Sequence, residues 1–229
     1  MILAFDTSTD WLSIAIGRSD QIIAEIEERA PRAHLNRLLP GIDGLLKEVG
    51  GAPNDIEQIA VGVGPGSFTG VRIAISTAQG LAHAIGCPLI GISTLDTIAA
   101  RLPESNATIY PILDAKRSEV YTAEYENFGH RVSDYQVLAP EKLAQKIRKS
   151  GKPVLITGDG LEKYKDIFQD ELGDLATFSK PALWSPNASV LIKLAKEKTE
   201  KEPIESYFKV LPIYIRLSDA EESAKRGKS

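Results

Sequence analysis

The order of predicted strands and helices in the first hundred or so residues is the feature that most limits the fold. Short apolar or alternating runs predict strands, and longer amphipathic stretches predict helices. The predicted strands are Ile2–Asp6, Leu12–Gly17, Gln21–Arg29, Gln58–Val63 and Pro88–Ile92, and the predicted helices are His34–Val49, Thr69–Ile85 and Thr94–Arg101. Tight turns join antiparallel strands. A helix between two strands of one sheet makes a right-handed crossover, which leaves the two strands parallel. The order therefore predicts an α/β fold with a mixed five-stranded sheet.

The second half of the chain has shorter elements and a less certain order. The predicted strands are Ile109–Asp114, Glu119–Glu126, Pro153–Thr157 and Leu211–Leu217, and the predicted helices are Pro140–Ser150, Leu161–Phe168 and Pro186–Lys201. A helix-breaking run at 103–106 separates the halves. We expect one lobe at 1–104 and a second, degenerate lobe at 105–229. The C-terminal segment belongs to the second lobe or returns to the first, and 218–229 is expected to be a loose polar tail.

The composition is that of an ordinary globular protein. Of 229 residues 43% are hydrophobic, and the formal net charge is −4. This balance disfavours a protein that grips nucleic-acid phosphates by itself, because such proteins need a basic face. One cysteine, Cys87, permits no internal disulfide and fits a reducing compartment. The start lacks the features of a secretory signal, and no apolar run is long enough to span a bilayer, so we expect a cytoplasmic protein without membrane contact.

A glycine-rich block, Gly62–Arg72, joins a predicted strand to a predicted helix. It is not a Walker A loop, because no Lys-Ser/Thr pair follows the last glycine. It is not a nucleophile elbow either, because Pro65 stands two residues before Ser67. Two interpretations remain open. Free N–H groups at the helix start bind an anion, or the glycines only allow a tightly packed turn.

Four segments together resemble a known family. They are MILAFDTSTD at the start, GVGPGSFTGVRIAISTAQGLAHAIGCPLIGISTL from Gly62, LDAKRSEVYTAEY from Leu113, and PIYIR near the end. In this order they are similar to the bacterial TsaB (YeaZ-type) family, and the GPGSFTGVR stretch is the most specific. The family motif falls on Gly64, Pro65, Gly66, Ser67, Phe68, Thr69, Gly70 and Arg72. The resemblance implies a two-lobed fold of the actin/Hsp70/sugar-kinase (RNase H-like) type.

The resemblance also implies a function. It predicts a non-catalytic scaffold subunit needed to form N6-threonylcarbamoyladenosine in tRNA (t6A37). Such a subunit pairs with a catalytic TsaD-like subunit, helps recruit a TsaE-like ATPase, forms a homodimer when alone and reaches tRNA only through the complex. The alternative is an enzyme of the same fold, either an ATP-dependent phosphotransferase or a glycoprotease-like protein.

The residues disfavour the enzyme alternative. The catalytic paralogue carries a metal-binding His-x-x-x-His pair, but positions 93–100 of this chain contain no histidine. His34, His83 and His130 lie in different predicted elements and are expected at surfaces or helix edges. Asp6 and Asp114 follow strands where related enzymes bind phosphate, but their turns lack the usual glycines, so we expect turn capping. We predict no catalytic, cofactor or metal residues and no cofactor.

The two longest helices suggest a partner surface. In the His34–Val49 helix an apolar stripe is predicted to face the core, formed by Leu35, Leu38, Leu39, Ile42, Leu45, Leu46 and Val49. In the Thr69–Ile85 helix the side opposite the core carries small or apolar residues. The predicted interface consists of Gly41, Gly44, Ile73, Ser76, Thr77, Gly80 and Ala84. The alternative is that the glycines fit a bend at Pro40 and that the chain's own loops cover the small residues.

Overall fold

The computed structural model describes residues 1–19, 21–103, 105–126, 129–201 and 206–216. Its first sheet has the order β3-β2-β1-β4-β5. The strands are β1 Ile2–Asp6, β2 Trp11–Arg18, β3 Gln21–Arg29, β4 Gln58–Gly62 and β5 Leu89–Ile92. The first three pair antiparallel, whereas β4 and β5 add in parallel beyond β1. This arrangement confirms the predicted mixed five-stranded sheet.

The second sheet is more curled. Its main path is β10-β7-β6-β11-β12, with β8 pairing to β6 and to β9. The strands are β6 Thr108–Asp114, β7 Val120–Thr122, β8 Tyr125–Glu126, β9 His130–Arg131, β10 Gln136–Leu138, β11 Val154–Thr157 and β12 Ala176–Phe178. The predicted single strand at Glu119–Glu126 is wrong, because two separate short strands, β7 and β8, occupy that stretch.

Six helices cover these sheets in the described part of the chain. They are α1 His34–Glu48, α2 Phe68–Ile85, α3 Thr94–Ala100, α4 Pro140–Ser150, α5 Leu161–Leu172 and α6 Ala188–Lys201. The helices α1 and α2 pack on one face of the first sheet, and α6 packs on the other. The second sheet is covered by α4 and α5 on one face and by α3 on the other. None of the described helices is long and apolar enough to cross a membrane.

Side-chain hydrogen bonds and backbone conformation fix the ends of α2 and the start of α6. The Ser67 hydroxyl accepts a hydrogen bond from the Gly70 N–H and so caps the start of α2. The same helix ends at Gly86, whose φ of 79° is left-handed and favours glycine. The amide oxygen of Asn187 accepts from the Val190 N–H at the start of α6. One side of α2 faces the first sheet, and its residues Val71, Ala74, Ile75, Ala78 and Ala82 are buried.

The C-terminal segment differs from the predicted strand at Leu211–Leu217. Its described part, through Arg216, forms no strand, and Pro212 has no N–H to donate. The Ile213 N–H donates to the Val63 carbonyl, and upstream the Gln79 side chain donates to the carbonyls of Tyr207 and Val210. The segment therefore lies along α2. Residue 217, the predicted tail 218–229 and residue 104 at the predicted lobe boundary lie outside the described residues, and the lobe division stays a prediction.

Candidate functional site

Asp6 and Asp114 stand at the ends of β1 and β6 and begin the turns on either side of a cleft. Asp6 is fully buried, and its carboxylate accepts hydrogen bonds from the Ser8 N–H at 2.6 Å and from the Thr94 hydroxyl at 3.1 Å. Burial raises the pKa of Asp6, although the bonds from Ser8 and Thr94 oppose this rise. Asp114 accepts from the Lys116 N–H at 2.9 Å. Because each carboxylate caps the N–H two residues ahead, the predicted turn capping is confirmed.

The cleft between these turns has a volume of about 660 Å³ and a mixed lining. Its walls carry Lys116 and Arg216 as well as Asp114 and Asp159. Two of the basic side chains that line the cleft are engaged in ion pairs. Lys116 pairs with Asp114, and Arg216 pairs with Glu119. In the part of the chain that the structure describes, no three histidine, cysteine or acidic side chains converge on a metal position.

The glycine block serves close packing. A Cβ at Gly66 would lie 2.3 Å from the Ser8 carbonyl oxygen, and one at Gly70 would lie 2.0 Å from the Thr7 carbonyl oxygen. The Ser67 N–H donates to the Ser8 carbonyl at 2.7 Å. Only glycine lets the start of α2 approach the β1–β2 turn so closely. The geometry therefore favours the packing interpretation of this block over the anion-binding one.

Two residues of the family motif face outward instead. Phe68 is 42% exposed, and the guanidinium carbon of the exposed Arg72 lies 3.6 Å from the centre of its ring. Tyr214, which is 50% exposed, completes the group because its hydroxyl accepts from Nε of Arg72 at 3.0 Å. No local pattern predicts this contact, since Arg72 and Tyr214 are 142 positions apart and only the PIYIR resemblance pointed to the second segment.

The outer side of α2 carries the predicted small residues. Ser76, Gly80 and Ala84 are exposed, and Ile73 and Thr77 are half-buried. A Cβ built at Gly80 would meet no described atom within 4 Å. The open space at Gly80 shows that the described loops of this chain do not cover that part of the helix.

Helix α1 differs from its prediction in two ways. Leu35 and Leu39 are 71% and 52% exposed, so their predicted place on the core stripe is wrong. They lie at the edge of the stripe, whereas the adjacent Leu38 points inward and is 1% exposed. Gly41 faces inward, since a Cβ there would lie 2.7 Å from Cδ1 of Ile14, and its predicted place in the partner interface is therefore corrected.

Gly44 is exposed and has open space around it. Five residues separate it from Leu39, which places the two about 140° apart around the helix at roughly 100° per residue. Leu39 and Gly44 therefore lie on different sides of α1. The predicted interface role of Gly44 stays a prediction, and we propose a narrower docking face without it. This docking face consists of the exposed or half-buried residues Leu35, Leu39, Ile73, Ser76, Thr77, Gly80 and Ala84.

The three histidines lie apart. His34 is buried, with Nε2 2.9 Å from the Thr9 carbonyl oxygen, so its predicted surface position is wrong. His83 and His130 are exposed, as predicted. Positions 93–100, which contain no histidine, include α3, where Thr94 and Ile98 are buried.

Comparisons with known proteins identify the family. A family model described as "TsaD: tRNA N6-adenosine threonylcarbamoyltransferase" matches residues 21–224. A Bacillus subtilis protein named "tRNA threonylcarbamoyladenosine biosynthesis protein TsaB" is 35% identical over 224 residues, which cover 96% of each chain. This chain belongs to the TsaB family. The Escherichia coli TsaB is 37% identical over 172 residues, covering 72% of this chain and 74% of that protein.

A solved structure of a related protein has a similar fold. YeaZ from Pseudomonas aeruginosa superposes with a TM-score of 0.80 at 32% identity, covering 93% of this chain and 98% of that one. This match confirms the predicted α/β fold of the actin/Hsp70/sugar-kinase type for this TsaB-family protein.

Proposed function

We propose that this chain is a non-catalytic subunit needed to form N6-threonylcarbamoyladenosine in tRNA. Its relatives carry the name of that biosynthetic pathway, which supports the pathway assignment. The observation that favours a subunit role is the docking face, which combines exposed leucines on α1 with exposed small residues on α2, a helix that α1 contacts. A partner that covers this face is a TsaD-like catalytic subunit.

The docking face has the chemistry of a protein interface. Leu35 and Leu39 together expose an apolar area that an isolated surface helix normally avoids. The small side chains at Ser76, Gly80 and Ala84 let the backbone of another helix come close, as interdigitating helix pairs require. Burying the two leucines contributes about 1 to 2 kcal/mol each, which is enough to matter in a moderate-affinity complex.

The cleft supports the non-catalytic assignment. The carboxylate of Asp6 is engaged by Ser8 and Thr94 of its own chain and is fully buried. The turn after Asp114 carries Lys116, Arg117 and Ser118 where a phosphate-binding turn has small residues and glycine. A phosphotransferase or a glycoprotease-like enzyme remains the alternative, and the match to the TsaD family model keeps it worth testing.

The remaining partners follow from the same proposal. The docking face holds either the TsaD-like subunit or a second copy of this chain when the partner is absent. The assembled pair helps recruit a TsaE-like ATPase. Since the formal net charge of this chain is −4, tRNA binds through the complex rather than to this chain alone. These reactions place the protein in the cytoplasm.

Reconstitution of the pathway tests the function. The purified TsaD-like and TsaE-like partners, tRNA, ATP and a threonylcarbamoyl donor are combined with and without this chain. We expect modified tRNA only when the chain is present, and no ATP hydrolysis or peptide cleavage by the chain alone. Full-rate modification without the chain would contradict the requirement. ATP turnover by the chain alone that disappears in Asp6→Ala would favour the enzyme alternative.

A further inference from the structure

Arg72 is held rigid by two aromatic side chains on the surface. Its guanidinium carbon lies 3.6 Å from the centre of the Phe68 ring and 5.9 Å from that of Tyr214. Nε donates to the Tyr214 hydroxyl at 3.0 Å, and the two rings lie 5.7 Å apart. The stack and the hydrogen bond fix a long side chain that would otherwise sample many rotamers.

The charge of Arg72 has no acidic partner among the residues that the structure describes. Nε is its one nitrogen with a hydrogen-bond acceptor within that part of the chain. Three other arginines are paired: Arg37 with Glu28, Arg101 with Glu27 and Arg216 with Glu119. A preorganised guanidinium with two available terminal nitrogens is suited to an incoming anion, because little further entropy is lost when it binds.

The position of Arg72 relates it to the docking face. Arg72 precedes Ser76 by four residues, and Gly80 and Ala84 continue the series at the same interval. Each step turns about 40° around the helix, so Arg72 is a one-turn neighbour of Ser76 but lies about 120° from Ala84. All four are exposed. A partner segment that contacts Ser76, at the N-terminal end of the docking face, therefore lies within about one helical turn of the guanidinium.

We propose that Arg72 binds a carboxylate of the partner subunit at one end of the docking face. This inference rests on the proposed function, since it names an ionic contact within that interface. The planar guanidinium matches a carboxylate through two parallel hydrogen bonds, which fix the register of the two helices as well as adding affinity. Phe68 and Tyr214 are positioning residues, because they hold the guanidinium in place.

Binding measurements with the purified TsaD-like subunit test the proposal. Isothermal titration calorimetry compares the wild-type chain with Arg72→Gln, Tyr214→Phe and the control Arg18→Gln, an exposed arginine at the far end of β2. We expect Arg72→Gln to weaken binding roughly tenfold or more, Tyr214→Phe to weaken it less and Arg18→Gln to leave it unchanged. Raising the salt concentration should weaken wild-type binding more than Arg72→Gln binding.

The other outcomes separate this inference from the proposed function. If Arg72→Gln binds like wild type while Gly80→Arg abolishes binding, the docking face stands and the ionic contact is wrong. If both variants bind normally, the docking face itself is wrong. If Arg72→Gln assembles normally but its complex loses affinity for tRNA, the ligand is an RNA phosphate, and the carboxylate assignment is overturned.

Discussion

The guanidinium of Arg101 binds both carboxylate oxygens of Glu27, at 2.8 and 2.9 Å, and so ties the end of α3 to β3. The side chains are only 16% and 23% exposed, and Ser185 and Asn187 also donate to the same carboxylate. This ion pair therefore joins three segments that lie far apart in the sequence. It is the kind of partly buried network whose disruption leaves a charge without a partner.

Arg101→Met should destabilise the protein by about 2 to 4 kcal/mol, because it leaves the carboxylate of Glu27 without its cation. The control is Arg37→Met, which removes an exposed pair with Glu28 and should cost no more than about 1 kcal/mol. Urea unfolding of the two variants beside wild type measures the difference. Equal losses of stability would contradict the structural role assigned to Arg101.

The Arg101–Glu27 pair also has a defined pH dependence. Burial favours a higher pKa for Glu27, but hydrogen bonds from Arg101 and Ser185 hold the pKa below its ordinary value. A lowered native pKa means that the stabilisation is present above the unfolded pKa of Glu and is lost as the pH falls through the native pKa. The stability gap between wild type and Arg101→Met should therefore narrow under acidic conditions.

Asp159 should give the opposite dependence. Burial raises its pKa to about 7, although the Asp114 N–H donates to its carboxylate. The native state therefore binds a proton that the unfolded state releases near pH 4, and stability falls as the pH rises from about 4 to about 7. Asp159→Asn should flatten this fall, and the exposed control Asp166→Asn should retain it. Urea unfolding curves recorded across that pH range measure the free energy of unfolding of each variant. If the free energy of Asp159→Asn fell with pH as steeply as that of wild type, the raised pKa of Asp159 would be contradicted.

The turn after β6 stores backbone strain. Lys116, Arg117 and Ser118 have φ values of 61°, 52° and 58°, a region that non-glycine residues rarely adopt. Ser118→Gly should therefore stabilise the fold by about 1 kcal/mol, because glycine adopts this conformation without strain. Ser118→Ala removes the same hydroxyl but keeps the Cβ, so it should give no gain. A shift in unfolding midpoint shared by both variants would show that strain is not the cause.

Neighbouring leucines on α1 should behave differently. Leu38 is 1% exposed, and Leu38→Ala should cost about 2 to 5 kcal/mol because it opens a cavity under the helix. Leu39 is 52% exposed, and Leu39→Ala should change stability by less than about 1 kcal/mol while weakening association with the TsaD-like subunit. Thermal unfolding and a binding titration on both variants separate the two roles.

The sequence predicted the first sheet well and the docking face only in part. Periodicity located all five strands of that sheet, since four are apolar runs between turn residues and Gln21–Arg29 alternates apolar and charged residues. Periodicity wrongly predicted that Leu35 and Leu39 face the core. Helical spacing gives the direction of a side chain around the helix axis, but it does not show how far the neighbouring sheet extends to cover that side chain. The exposure of these leucines depends on how α1 and α2 sit together on the sheet.

The contacts made by the C-terminal segment were beyond local sequence analysis. LPIYIR has the composition of a strand, yet Pro212 removes a donor, and the segment instead packs along α2. The bond between Arg72 and Tyr214 depends on that packing and has no local signal. Local sequence also did not distinguish the two glycines of α1. Gly41 faces Ile14, whereas Gly44 has open space around it.

The most direct test of the account uses Gly80→Arg and its matched control Gly44→Arg. Both glycines lie on helices with open space around them, so both variants should unfold at nearly the wild-type temperature. Size-exclusion chromatography with light scattering then measures binding to the TsaD-like subunit. We expect Gly80→Arg to fail to bind and Gly44→Arg to bind normally, because an unpaired charge buried at a helix contact costs several kcal/mol. Normal binding by a folded Gly80→Arg chain would contradict this expectation.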